Sequence, residues 1–562
     1  MKVLITVVGM FVVTSLVWAQ TPAAAPSVPE NLGLGLRQLV TVQQQAPAQL
    51  SSKLAATPVI QSDQVANVIV NINLDGAQTP AMVSASLAAL GVQIIGVETR
   101  WRNGVISASI PVAQAVTIAG LPGVKSVMLA RKPIRRIGKV TAESSVVEHA
   151  NEVNTPGVVT AQGILGRGIS VGIISDSYNT ASGVPRASVG VSSGDLPGPG
   201  NPNGYTQPVV VLQDGTDKSD TDEGRGMAEI VHDIAPAATI SFSAAGPTET
   251  TYAASIRNLR TDSQTLCDVI VDDIGFADEP MFSDGIVAQA VDDVVTSNTL
   301  AGKKVAYFSA AGNSPGGYSG TANIIAVATA QSYGNVDLSE VPANLDAGGI
   351  QNIGTAASPV IAQSITTGTD DTSELVLQWD DPFDSGAVTT DYNLLVFDKN
   401  GQYLGSRSGT DNNAATDEPV EIVDLAKNTT YQLVIALASA DPPTARHLRM
   451  VSDDGNPVTD PYFVNSTISI YGHPSAAEAN CIAAYSYSNT PNTVPNYNAR
   501  MSNPPPGPYE PIIETFNSTG GALPFYFNSQ GQRLSTPQYR LKPDFAAADG
   551  VDTSFFPAGS GN

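Results

Sequence analysis

Three short stretches pair a chemistry-bearing side chain with a backbone that could present it. Val171-Gly172-Ile173-Ile174-Ser175-Asp176-Ser177 is a buried apolar run that ends in an acid. Asp222-Glu223-Gly224-Arg225-Gly226-Met227-Ala228-Glu229-Ile230-Val231-His232 opens a helix with a carboxylate. Val305 to Ser314 is a second buried run, ending in Ala310-Ala311-Gly312-Asn313. A carboxylate can serve as a general base, and an amide can donate to a developing oxyanion. The small residues beside Asn313 would let a substrate backbone come close. Each motif also has a plain reading. Glu223 could simply favour a helix N-terminus, and Gly312-Asn313 could simply turn the chain.

The helix pattern separates two candidates for the base. At about 100° per residue, Met227, Ile230, Val231 and Ile234 share one stripe, and Glu223 falls on it. His232 lies about 180° from Glu223, which predicts the outer face. Glu223 is therefore the inward candidate.

The elements around these motifs alternate. Strands are predicted over 169–174, 237–242, 267–271 and 305–310, with helices over 227–234, 252–262 and 287–296. This order predicts an α/β fold with a doubly wound parallel sheet, whose sites lie at the carboxyl ends of its strands. A strand over 482–487 returns to it. Between them, residues 340–472 carry short alternating strands over 374–379, 392–397, 402–407, 420–423, 431–437, 447–451 and 463–470, which read as an inserted β-sandwich. Upstream, residues 64–131 follow a β-α-β-β-α-β order, with a hairpin at Asn103-Gly104 and a helix start at Thr79-Pro80. That is a ferredoxin-like unit. Residues 20–63 are rich in Pro, Ala and Gln and read as a loose linker. Residues 1–19 have the form of a signal peptide, cut before Gln20, so the chain is read as exported, to the cell exterior or periplasm.

Taken together, the three motifs resemble the subtilase superfamily of subtilisin-like and sedolisin-like serine peptidases. Asp176 falls where the family carries its catalytic Asp. Glu223 stands in place of the catalytic His, within Glu223-Gly224-Arg225-Gly226-Met227-Ala228-Glu229, and Ile234-Ala235-Pro236-Ala237-Ala238 resembles the stretch that follows. Ala310-Ala311-Gly312-Asn313 matches the oxyanion-hole motif. Glu514 to Gly520 and Lys542-Pro543-Asp544-Phe545-Ala546-Ala547 resemble later core motifs. The resemblance covers roughly 140–335 and 473–556, and it implies a secreted endopeptidase with a Ser–Glu–Asp arrangement that acts on polypeptides. It also implies that residues 64–131 are an inhibitory pro-segment, and it puts Asp272, Asp273 and Gly275 on the strand lining the substrate cleft. There the paired acids could prefer basic side chains or raise each other's pKa. Arg131 to Lys139 has five basic residues in nine and reads either as a solvated linker or as the cleavage zone.

One departure is large. The family's Gly-Thr-Ser-x-Ala-x-Pro nucleophile motif does not occur, and Ser560 lacks its flanks. The sequence thus implies a core (140–335 and 473–562) that is incomplete at its C-terminus and inactive as it stands. A non-catalytic secreted binding protein on a degenerate scaffold is the alternative, and an adhesion protein built around the insert is a weaker third reading.

Composition fits an exported hydrolase. The 562 residues carry 52 acidic against 28 basic side chains, a formal charge of −24, which argues against nucleic acid. No run has the roughly 18 apolar residues of a membrane span. Cys267 and Cys481 cannot form a disulfide scaffold and read as two separate buried thiols. No cofactor is called for. The Asp-rich loops 217–222 and 380–384 offer oxygens of the kind calcium takes, but without EF-hand spacing. Substrate preference and oligomeric state leave no trace in the sequence.

Overall fold

A computed structural model describes residues 28–554 apart from several stretches, the longest being 136–147, 155–162, 453–462 and 488–512. Residues 1–19, read above as a signal peptide, most of the basic run and Ser560 lie outside the described residues.

The strand–helix alternation builds a seven-stranded parallel sheet. From one edge its strands are Val210–Gln213, Thr239–Ala244, Ser170–Ser175, Val269–Asp272, Ala306–Ala310, Ala479–Ser486 and Phe545–Asp549. Helices Glu249–Thr261 and Ile286–Thr296 cover one face. Their Tyr252, Ile256, Leu259, Val287, Val291 and Val294 pack with Ile270 and Tyr307 of the sheet. Helix Glu223–Ile234 covers part of the other face, where Ala228 shares a core with Ile173, Ile240 and Phe242. Gly224 permits that approach, since a Cβ there would lie 2.2 Å from the Phe242 ring.

Beyond this helix the second face stays open. Val271, Phe308, Ala310, Ile482, Ala484, Phe545 and Ala547 line an apolar trough of about 560 Å³. Phe545 is 59% exposed, whereas Ile270, Tyr307 and Cys481, pointing the other way, are fully buried.

The N-terminal region is a five-stranded sheet in which Val124–Leu129, Asn67–Leu74, Val105–Pro111 and Gln93–Glu98 lie in that order. Residues 28–55 belong to this unit and are not a loose linker. Strand Leu32–Gly33 pairs in parallel with Val127–Met128, and helix Leu36–Gln45 buries Leu36, Leu39 and Val40. The apolar side chains recur at helical spacing, which the Gln-rich composition obscured.

The β-rich region begins earlier than residue 340, because Gly317–Thr321 already pairs with His447–Ser452. One sheet runs Gly317–Thr321, His447–Ser452, Thr372–Trp379, Val420–Ala426. In the other, Thr430–Leu437 pairs with Tyr392–Asp398, Gln363–Thr366 and Gly349–Gln351. Their facing side chains, including Trp379, Leu377, Leu394 and Ile435, share one core. Among the described residues, 402–407 and 463–470 contribute isolated bridges and no strand. A further hairpin, Gly521–Phe527 with Arg533–Lys542, precedes the last strand of the parallel sheet. No helix among the described residues is long and apolar enough to cross a membrane.

Candidate active site

Asp176 leaves the carboxyl end of strand Ser170–Ser175 and anchors the loop that starts the helix. Its Oδ2 accepts the Thr221 N–H at 2.6 Å and the Thr221 hydroxyl at 2.8 Å. Its Oδ1 accepts the Glu223 N–H at 3.0 Å and the Ser177 hydroxyl at 3.2 Å. Glu223 is thereby the first residue of the helix, with its side chain half-buried.

Sequence reading missed Asp222, the residue that locks this turn. It is fully buried at φ 62°, a left-handed conformation that Asp tolerates. Its carboxylate accepts the N–H groups of Thr180 and Ala181 at 2.7 and 2.8 Å and pairs with the buried Arg225 guanidinium at 2.8 Å. An Asp directly before the helical run was the available signal. Glu229, also missed, is buried and accepts the Ser554 N–H and hydroxyl at 2.6 and 2.7 Å.

His232 is not on an exposed face. It is 2% exposed and meets the Tyr205 ring edge-on, at 5.3 Å between centroids. The helix buries Gly224, Arg225, Ala228, Glu229 and His232, whereas Met227, Ile230, Val231 and Ile234 of the predicted inward stripe are only half-buried. Burial pushes the His232 pKa down. Its ring still sits roughly 13 Å along the axis from Glu223, by the helical rise.

Asp272 and Asp273 have different surroundings, although the charge of Asp272 adds to the rise of the Asp273 pKa. Strand alternation sends them to opposite faces. Asp272 faces the covered side, where its Oδ1 accepts the Ser309 hydroxyl at 2.7 Å and lies 3.2 Å from His473 Nε2. His473 Nδ1 is 2.9 Å from Glu279, and both partners are buried. Burial alone would lower the His473 pKa, but Glu279 and Asp272 outweigh it and raise it to about 9. The imidazolium is thus held between two carboxylates at the point where the chain returns to the sheet. Nothing in the spacing around His473 gave this away.

Asp273 faces the helix side. Its Oδ2 accepts the Ser175 hydroxyl at 3.1 Å, and its buried Oδ1 has no hydrogen-bond partner. Burial first, and then the charges of Glu223 and Asp176, push its pKa well up. Asp176, Glu223 and Asp273 therefore form one acidic cluster at the carboxyl ends of the central strands. Such a cluster retains a proton, and a carboxylate within it can take or give one.

Just beyond Asp273, Ile274 and Gly275 pair antiparallel with Arg135 and Ile134. The extended chain that follows the N-terminal sheet thus runs beside the acidic cluster. Asn313 lines the open trough, in a loop after strand Ala306–Ala310. Gly312 at φ 99° makes the turn, and Ser518 braces it. The Ser518 N–H donates to the Gly312 carbonyl at 2.8 Å, and its hydroxyl accepts the Ser314 N–H at 3.0 Å.

Cys267 and Cys481 are both free and buried. Among the described residues, no group of three or more His, Cys, Asp or Glu side chains is arranged to hold a metal ion. In the Asp-rich loops, Asp220 accepts the Asp217 N–H, and Asp380 is engaged by His447 and Arg533 at 3.0 Å each.

No family model and no curated protein matches the chain. Solved structures give distant likenesses. The CspB protease of Clostridium perfringens is 11% identical over 72% of this chain and 80% of its own, with a TM-score of 0.37. The epidermin leader peptide processing serine protease EpiP of Staphylococcus aureus is 10% identical over 44% of this chain and 61% of its own, with a TM-score of 0.27. Fervidolysin of Fervidobacterium pennivorans, a keratinolytic enzyme related to subtilisin, is 13% identical over 44% of this chain and 40% of its own, with a TM-score of 0.24.

Proposed function

We propose that this chain is the cleft and general-base portion of an exported, subtilase-like serine endopeptidase that hydrolyses peptide bonds through an acyl-enzyme. The observation that carries this reading is the antiparallel pairing of Ile134–Arg135 with Ile274–Gly275 beside the acidic cluster. An extended peptide added to a strand edge is how a peptide backbone is bound for chemistry at its end.

In this reading Glu223 takes the proton of a serine hydroxyl as that oxygen attacks the scissile carbonyl, and later returns it to the leaving amine. Asp176 fixes Glu223 through its backbone N–H. Asp273 shares the cluster's proton and keeps Glu223 able to work in mildly acidic to neutral solution. The Asn313 amide donates to the oxyanion. The nucleophile arrives on an apolar helix seated in the trough, with the serine at its N-terminus between Glu223 and Asn313. An open apolar sheet face of this size calls for a cover.

The N-terminal sheet acts as a pro-segment whose trailing strand occupies the cleft. Gly275 holds substrate backbone, and Asp273 favours basic side chains, so the first substrate is the chain's own Arg-Lys-rich run after Leu129. Asp272, facing away, supports the strand end rather than touching substrate.

The test is to express the gene extended beyond Asn562 and label it with a fluorophosphonate. The reading requires one labelled serine, with labelling lost in Glu223→Gln. A processed, folded protein that takes no label belongs to the rival reading, a secreted binding protein on this scaffold.

A further inference from the structure

A second acidic cluster lies away from the cleft, where three parts of the chain meet. The parallel-sheet region brings Glu249, at the start of its helix, and Asp278. The β-rich region brings Asp384, Asp417 and Glu418. The N-terminal sheet brings two neutral donors into direct contact with these acids. Asn73 Nδ2 donates to Glu418 Oε1 at 2.6 Å, and Trp101 Nε1 donates to Asp384 Oδ2 at 2.8 Å. The space between them is about 30 Å³, room for about one water and far too little to hydrate the four carboxylates that line it, Glu249, Asp278, Asp384 and Glu418.

We propose that this junction is a proton-operated latch, which holds residues 67–129 against the rest of the chain in acid and releases them as the solution becomes neutral. The latch stands on the interface geometry alone and does not depend on the peptidase reading.

Docking removes water from carboxylates that already crowd one another, and this favours the protonated form, while Asn73 and Trp101 offset part of it. Burial, and behind it Asp278, Glu279 and Glu418, pushes Glu249 well up. Burial, and behind it Asp384 and Asp278, does the same for Glu418. Asp278 and Asp384 are each raised to about 6, mainly by burial. Asp417 is raised by burial too, although the Gly386 N–H offsets part of it.

The opposing cations are few. Arg102 stacks over Trp101 with its guanidinium 4.5 Å from the ring centroid, and burial disfavours its charge. Lys125 acts on Asp384 and Asp417. Arg131 acts on Asp278 but is bound by Glu374 and Asp424. Glu279 is taken by His473. Two ion pairs, Arg257–Glu98 and Arg100–Asp293, also cross from the N-terminal sheet to the helices.

The sign follows from linkage. The docked state binds protons more tightly than the undocked one, so docking is strongest below the ordinary carboxylate pKa. It weakens as pH rises through about 6, the raised value of Asp278 and Asp384. A carboxyl whose pKa rises by about two units on docking weakens the docking constant by up to roughly 100-fold across that window.

Hydrogen exchange on the whole chain at about pH 5 and about pH 8 tests this, read as protection factors so that intrinsic rates cancel. Strands 67–74 and 105–111 should lose at least tenfold in protection at the higher pH, while 170–175 and 269–272 keep theirs. The double variant Asp278→Asn/Asp384→Asn, which removes the two groups that set this window, should flatten the response. Trp101 emission followed through the same titration of the native chain serves if that variant does not fold, and should change with a midpoint near 6. Protection and emission that stay level, an N-terminal sheet that loosens towards acid, or equal loosening of the parallel sheet would each overturn the latch.

Discussion

The Asp176 carboxylate accepts the backbone N–H of Glu223 at 3.0 Å, so one acid sets the position of another through its main chain and not its charge. The same carboxylate holds both the N–H and the hydroxyl of Thr221. Asp176→Asn keeps the size but turns one acceptor into a donor facing those donors. It should destabilise the chain by about 2–3 kcal/mol, measured by urea unfolding. In the extended enzyme it should also lower kcat, since Glu223 would lose its placement. An unchanged denaturation midpoint would show that the loop is held by something else.

Two groups compete for the role of base, and the structure places them roughly 13 Å apart on one helix. Glu223→Gln should remove fluorophosphonate labelling of the extended protein by a factor of at least about 100. His232→Ala should leave labelling within about threefold while lowering stability, because the ring is buried against Tyr205. A pH–rate profile that needs a group near 7 and loses it with His232→Ala would assign the base to His232.

His473 sits between Asp272 and Glu279 with its pKa raised to about 9. A raised histidine contributes stability that is complete below its ordinary pKa of about 6.5 and is lost as pH rises through about 9. Stability should therefore fall between about pH 7 and 9. His473→Gln should remove that slope and cost about 3–5 kcal/mol, because two buried carboxylates lose their cation. Thermal unfolding of both proteins across this range is the measurement.

Arg131 is 4% exposed and bridges the N-terminal sheet to the β-rich region through Glu374 and Asp424. Arg131→Met should loosen that contact by about 3–5 kcal/mol, because the two acids are left without their partner. Limited proteolysis between the two regions should quicken accordingly. If Glu374→Leu is added to the same chain, part of the loss should return.

The trough lined by Phe308, Ile482 and Phe545 should bind an apolar dye such as ANS in residues 1–562. In the extended protein the dye should be displaced. Dye binding of equal strength in both would argue against a covering helix.

The parallel sheet was legible because its strands are continuous apolar runs, and buried parallel strands must be. Ile169 to Ile174 and Val305 to Ala310 were visible for that reason. Edge strands were not: Val210–Gln213 and Phe545–Asp549 are short and half-exposed, so their patterns fade. Helix Leu36–Gln45 was masked by its glutamines. At the site, residues at strand ends and helix starts could be read, because position along the chain decides them. His473 could not, since only the fold brings it to Asp272, and no spacing records that. His232 was misplaced because the side with small residues, Gly224 and Ala228, is the one that packs inward, while the apolar stripe of Met227, Ile230, Val231 and Ile234 stays half-buried.

The β-rich region leaves the parallel sheet after Ala310 and returns at Ala479, between strands that are direct neighbours. The whole region thus takes the place of a single crossover helix. A ribosome delivers Ala306–Ala310 and its neighbour Val269–Asp272 long before the second partner, Ala479–Ser486, exists, while the pairs within the β-rich region are closer in sequence. That region is free to fold first, as a local unit. Joining Ala479–Ser486 to the sheet then requires closing a long loop, the kind of non-local pairing that carries the larger entropic cost. Asn313 and His473 stand at the two joints, so the Asn313 loop and the contact of His473 with Asp272 are set only when this pairing is made.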